Sequence, residues 1–144
     1  MTTHLMIVPH RSLGPILTGT QTVEPRLSTD RSPPFGLVAE GDRVYIKPNG
    51  GRVAAQATVR RVDEFEDLTP EDILTLRETY NDRILGPDEY WDAKIESRYA
   101  TLVTLERVGL IHTVRGIPEE LLAPGRDSWR VADDAETGVR RTAA

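Results

Sequence analysis

The sequence feature that most constrains the fold is residues 19–26, in which a glycine is followed by polar residues and a proline. Because glycine readily adopts positive φ, Gly19 can end a helix formed by residues 11–18. Thr22 and Val23 then favour an extended chain. Pro25 indicates the end or the edge of a sheet, because it cannot donate to a central ladder. These residues predict a helix, a turn and an edge strand, with Ser12 or His10 available as the helix cap.

The polar side chains of this segment have two interpretations. Alternate residues of a strand share a face, so Thr20, Thr22 and the backbone near Glu24 would lie opposite Gln21 and Val23. They either line a ligand site or face solvent, and the pattern alone does not decide between the two.

Composition indicates a water-soluble chain and excludes several chemistries. With 144 residues, one core is expected, because two cores would each be small. The absence of cysteine excludes disulfides, thiolate catalysis and sulfur-ligated zinc. The formal charge of −5 disfavours a protein that coats nucleic acid by charge alone. No leader-like or membrane-length apolar run is visible, so we expect a cytoplasmic location and no membrane function.

Periodicity predicts mixed strands and helices along the rest of the chain. The predicted strands are residues 5–8, 43–47, 53–62 and 98–105, and the predicted helices are residues 70–80 and 88–95. Thr69 is the expected cap of the first of these helices, with Pro70 at its first position. The glycines at 50 and 51 suit a hairpin between the predicted strands 43–47 and 53–62.

The pattern weakens beyond Gly109, which suggests three regions. Residues 1–108 form the predicted domain, and residues 109–131 form an extension that docks on the domain or on a partner. Within this extension, residues 128–131 could form an edge strand or a docking segment. Residues 132–144 are polar and terminal, and we expect a disordered tail.

Four segments in order resemble a known family. They are residues 16–26, 41–46, 59–62 and 68–70, and the resemblance that they carry covers roughly residues 5–108. Their order resembles the activating signal cointegrator homology (ASCH) domain. The resemblance implies an α+β fold, namely a small PUA-like β-barrel of about five to six strands with two to three flanking helices.

The resemblance also implies an activity class. It implies a cleft between barrel and helices that binds RNA or a modified nucleotide or base. Some members are hydrolases, and those that deacetylate a modified cytidine have lysine at the position of Gln21 and threonine at the position of Glu24. This chain differs at both positions, and an amide cannot act as a base in place of lysine. Binding is therefore favoured over catalysis.

The candidate ligand-binding residues combine base readers, cations and a stacking ring. Glu24 would read base edges beside Gln21, Trp91 would stack, and the cations would lie near phosphate. The full set is Gln21, Glu24, Arg26, Lys47, Trp91 and Arg98. Four of them have an ordinary structural alternative: an ion pair for Glu24 and Arg26, a surface position for the lysine, and core packing for the tryptophan.

Two further functions remain open at this point. A hydrolase acting on a modified nucleoside or RNA would use Glu24 as acid or base, with Lys47 supplying the cation. A protein-interaction or homodimerisation module would use the C-terminal extension and its Trp129. No cofactor is expected, and the three histidines lack ligand-like spacing, so no metal site is predicted.

Overall fold

The computed structural model describes residues 1–133. Its strands are β1 Thr2–Val8, β2 Val23–Ser28, β3 Arg43–Pro48, β4 Ala55–Phe65, β5 Tyr99–Leu110 and β6 Trp129–Asp133. Its helices are α1 His10–Thr18, α2 Pro70–Ile84, α3 Asp88–Ala93 and α4 Glu119–Leu122.

The strands form one curled sheet in the order β2-β5-β4-β3-β1-β6. All neighbouring pairs are antiparallel except β1 with β3, which are parallel. The predicted α+β fold with a small barrel of five to six strands is confirmed as a six-stranded half-barrel, and the described residues contain four helices where two to three were predicted. The sheet is open, because β2 and β6 lie at its two ends.

The segment around Gly19 has the predicted helix, turn and strand. Gly19 caps α1 with a φ of 83°, and its N–H donates to the carbonyl of Ile16. The predicted cap is wrong: α1 begins directly after Pro9, without a side-chain cap. Within residues 1–133, strand β2 pairs only with β5, which allows Pro25 to lie at the sheet edge without breaking a ladder on its other side.

Helix α2 starts as predicted but runs further. Thr69 accepts from the N–H of Asp72, whose carboxylate accepts in return from the Thr69 N–H, forming a capping box. The helix continues past Tyr80 to Ile84, because Asn81 keeps a helical backbone. The side chain of Asn81 fixes the turn after the helix. Its amide donates to the carbonyl of Gly86, and its Oδ1 accepts from the Gly86 N–H and the Trp91 indole N–H.

The C-terminal extension is part of the sheet. Strand β6 pairs antiparallel with β1, and Trp129 is only 3% exposed within the main core. A side chain buried to this degree is not available to a separate partner. Strand β5 continues two residues past the expected domain boundary, to Leu110. The expected tail begins too early, because Ala132 and Asp133 belong to β6; residues 134–144 lie outside the described part of the chain.

Candidate functional site

A cleft of about 1270 Å³ lies on the open side of the curled sheet. Its walls come from the end of β1, from β2, from the β3–β4 hairpin, from α3 and from residues 121–128. These elements are far apart in sequence, so the cleft exists only because the sheet curls.

Arg26 connects the two ends of the sheet across this cleft. From β2, its Nη2 donates to the carbonyl of Ile7 at 2.8 Å, and its Nη1 donates to the carbonyl of Ser128 at 3.0 Å. These carbonyls belong to β1 and to the residue before β6. A side chain thus spans the gap that strand pairing leaves open.

The guanidinium of Arg26 is largely used by the protein itself. Its Nη2 also contacts Glu24 Oε2 at 2.9 Å, and its Cζ lies 5.2 Å from the centre of the Trp129 ring. Among the described residues, its buried Nε has no hydrogen-bond partner. Arg26 lines the cleft, but its first role is to brace the cleft walls.

Glu24 lies at the floor of the cleft, supported by Gln21. The Gln21 amide donates to Glu24 Oε1 at 3.2 Å and to the carbonyl of Val23 at 3.1 Å. Gln21 is buried and does not line the cleft, so it orients Glu24 from behind. Burial raises the pKa of Glu24 above its ordinary value of 4.5, although Arg26 and Gln21 act in the opposite direction.

This raised pKa predicts a stability that declines with rising pH. The folded protein holds the Glu24 proton more tightly than the unfolded chain does. The resulting stabilisation is therefore fully present below pH 4.5 and is lost as the pH rises through the raised pKa. Urea denaturation across this range should show the decline in the wild type and not in Glu24→Gln. The exposed Glu40→Gln is the matched control and should follow the wild type; a pH-independent gap between wild type and Glu24→Gln would contradict the assignment.

Tyr90 of α3 and Lys94, which directly follows the helix, line the cleft, although neither was among the predicted ligand-binding residues. Burial, followed by the charge of Glu24, raises the pKa of Tyr90. Burial, followed by the charge of Arg26, lowers the pKa of Lys94. Their spacing of four residues, which places helical side chains on one face, was the available signal.

Two predicted ligand residues lie away from the cleft. Trp91 is 2% exposed and packs in the core under α2, where its indole N–H donates to Asn81 Oδ1 at 3.0 Å. Successive residues of a helix point about 100° apart, so α3 directs Tyr90 to the cleft and Trp91 to the core. Arg98 precedes β5 with its side chain 59% exposed, 4.0 Å from Asp67. Neither residue lines the cleft, so stacking by Trp91 and phosphate contact by Arg98 are not carried further.

Lys47 does line the cleft, together with cations that the sequence did not indicate. The basic lining residues are Arg26, Lys47, Arg52, Lys94, Arg126 and Arg130, and the acidic ones are Glu24 and Asp127. The rest of the chain has 12 basic and 21 acidic residues. The cleft is therefore a positive region on a protein with an overall negative charge.

Residues 1–133 contain no group of three or more His, Asp or Glu side chains placed to hold a metal ion. Within the same part of the chain, every helix is too short or too polar to span a bilayer.

The sequence matches no protein-family model and no curated protein. Its structure is similar to the crystal structure of ASCH from Zymomonas mobilis, with a TM-score of 0.65, 19% identity, and coverage of 97% of this chain and 94% of that one. A single-residue variant of the same protein gives a TM-score of 0.65 at 18% identity, covering 98% of this chain and 95% of that one. The order of strands and helices, the curled sheet and this similarity over nearly the whole length agree. The chain therefore has the fold of an ASCH domain, a PUA-like α+β architecture.

Proposed function

We propose that the cleft binds RNA through its phosphates and one unpaired, ordinary or modified base. The observation that carries this proposal is the concentration of six cations against two acids in one cleft of an acidic chain. Clefts lined by one sign of charge raise the local concentration of ligands of the opposite sign. The negative remainder of the surface would repel nucleic acid elsewhere and so direct it to the cleft.

The cations at the rim are available for phosphate. Lys47, Arg52 and Arg126 form no salt bridge with any carboxylate among residues 1–133. Arg52 and Arg126 are exposed, and Lys47 is half-buried. Such unpaired cations contact phosphates without reading sequence. Arg130 is different, because its guanidinium already donates to the carbonyls of Leu121 and Ala123.

The floor of the cleft suits a base. Each Glu24 oxygen accepts one internal hydrogen bond, which leaves lone pairs for the edge of a base. The Tyr90 ring stands beside it and offers both an apolar face and a hydroxyl. Bases of single-stranded RNA are recognised by such edge contacts and rings.

The size of the cleft favours an oligonucleotide. A volume of about 1270 Å³ exceeds the roughly 300–1,000 Å³ of typical small-molecule sites. One base and its flanking phosphates would fill it better than a free nucleotide would.

Binding of a labelled single-stranded RNA, followed by fluorescence anisotropy at several salt concentrations, tests the proposal. Lys47→Gln and Arg52→Gln should each weaken binding and lower the slope of log affinity against log salt by about 0.7 per lost phosphate contact. Arg60→Gln is the matched control, because Arg60 is an exposed β4 cation outside the cleft. Equal effects of all three variants, or no binding by the wild type, would overturn the proposal.

A hydrolase acting on a modified nucleoside or RNA is the second candidate. It is favoured by one observation: Glu24 and Lys94 line the same cleft with pKa values shifted in opposite directions. Shifts of this kind bring an acid and a base toward neutral pH, where both can transfer protons. Lys94 is the better placed amine for this role, because burial and the neighbouring Arg26 both lower its pKa. Incubation with acylated nucleosides and RNA should yield product by mass spectrometry, and Lys94→Arg should abolish it.

A further inference from the structure

The chain uses lysine in only two places. Its 18 basic residues are 16 arginines and two lysines, Lys47 and Lys94. Both lysines line the cleft. All other basic residues of the chain, leaving histidine aside, are arginine.

The difference between the two residue types is chemical. A guanidinium stays protonated in proteins, whereas an amine can lose its proton and act as a base or a nucleophile. If the cleft required only positive charge, arginine would serve there as it does in the rest of the chain. The two lysines are therefore the cleft residues that could act as a neutral amine, and their surroundings distinguish them.

Lys94 has the surroundings of a reactive amine. It directly follows α3 and is half-buried, with its Nζ 5.9 Å from the centre of the Tyr90 ring. No carboxylate of residues 1–133 lies within 4.0 Å of this amine, and Arg26 is the charged neighbour that acts on it. A carboxylate would hold the proton on the amine, whereas burial and the charge of Arg26 both disfavour the protonated form.

We propose that Lys94 is a nucleophilic amine that takes an acyl group from an anionic acyl donor such as an acyl phosphate. The geometry supplies both parts of this reaction. The amine opens into the cleft, and the surrounding cations Arg26, Lys47 and Arg52 attract the phosphate of the donor. The lowered pKa of Lys94, due to burial and to Arg26, increases the share of free amine at neutral pH.

The reaction is a simple acyl transfer. The Nζ lone pair attacks the carbonyl carbon, and a C–N bond forms. The carbonyl C–O bond of the C–O–P linkage then breaks. The phosphate leaves with the bonding electrons, and the amine loses a proton to it or to water. The product is a neutral amide on Lys94 and inorganic phosphate.

Two groups near Lys94 set how its reaction rate varies with pH. Tyr90 of α3 faces the amine, and Arg26 of β2 is the charged neighbour that acts on it. Glu24 of β2 and Arg11 of α1 act on Tyr90 rather than on Lys94. Glu24 accepts hydrogen bonds from Arg26 and Gln21, which oppose the effect of its burial on its pKa.

Acylation would also regulate the cleft. It removes one of six cations and places a neutral amide beside Tyr90. This consequence rests on the proposed RNA binding, whereas the reactivity of Lys94 does not. We expect the acylated protein to bind RNA more weakly, and Lys94→Arg to be protected from this loss.

The experiment compares the two lysines within one molecule. The folded protein is treated with acetyl phosphate at several pH values and digested after arginine, which places Lys47 in peptide 44–52 and Lys94 in peptide 84–98. Mass spectrometry should show Lys94 acetylated several-fold faster than Lys47 at neutral pH. In urea the two rates should become similar, because the burial and the neighbouring Arg26 are lost.

Two outcomes would overturn the inference. One is an equal or faster reaction at Lys47 in the folded protein, and the other is a preference for Lys94 that persists in urea. RNA binding is measured separately on the untreated protein, so failure of the proposed function is distinguishable from failure of the amine chemistry.

Discussion

Arg26→Met is expected to reduce the free energy of unfolding by about 3–5 kcal/mol, the usual cost of removing one member of a buried ion pair. The variant leaves the buried Glu24 carboxylate without its cation and removes the hydrogen bonds from Arg26 to the carbonyls of Ile7 and Ser128. The open ends of the sheet then lose their connecting side chain. Urea denaturation of wild type and variant measures the effect.

Two controls make this prediction specific. Arg31→Met removes an exposed pair with Glu66 and should cost no more than about 1 kcal/mol. In the Arg26→Met background, Glu24→Gln should restore part of the loss, because no buried charge remains. If Arg26→Met costs as little as Arg31→Met, the brace across the cleft is not a significant source of stability.

Trp129→Ala is expected to destabilise the protein by about 3–5 kcal/mol, as for other large aromatic side chains removed from a core. Trp129 packs in the main core, its indole N–H donates to His4 Nδ1 at 3.0 Å, and its ring covers Arg26. The variant therefore weakens the attachment of β6 to β1 and one wall of the cleft together. Thermal and urea denaturation should both detect the loss.

Trp129→Phe separates packing from hydrogen bonding. It keeps a ring over Arg26 and in the core, but it loses the donor to His4, so it should cost less than Trp129→Ala. If Trp129→Ala has a free energy of unfolding close to that of the wild type, the C-terminal strand docks without contributing to the core.

Local patterns predicted much of the fold. The glycine after α1, the proline at the edge of β2 and the Thr69 capping box act within a few residues of chain, and each has the expected structure. Errors occurred at ends and boundaries. The start of α1 lacks a side-chain cap, and the predicted tail at residues 132–144 includes two residues of β6. The C-terminal extension does form one of its two predicted alternatives, an edge strand on the domain.

The site was less predictable from sequence than the fold was. Gln21, Glu24 and Arg26 were singled out from one short segment, and they do interact. Trp91 was chosen because it is large and aromatic, but the rotation of a short helix directs its neighbour Tyr90 to the cleft instead. The orientation of a six-residue helix depends on what it packs against, which no local pattern specifies.

The sequence by itself determined the order of strands and helices and the polar character of residues 19–26, because turn chemistry and periodicity are local properties of the chain. Only the tertiary structure decided that Arg26 closes an open sheet and that Glu24 and Lys94 share one cleft. Contacts between residues about 20 to 100 positions apart arise from the curl of the sheet and from burial, and these depend on the whole fold at once.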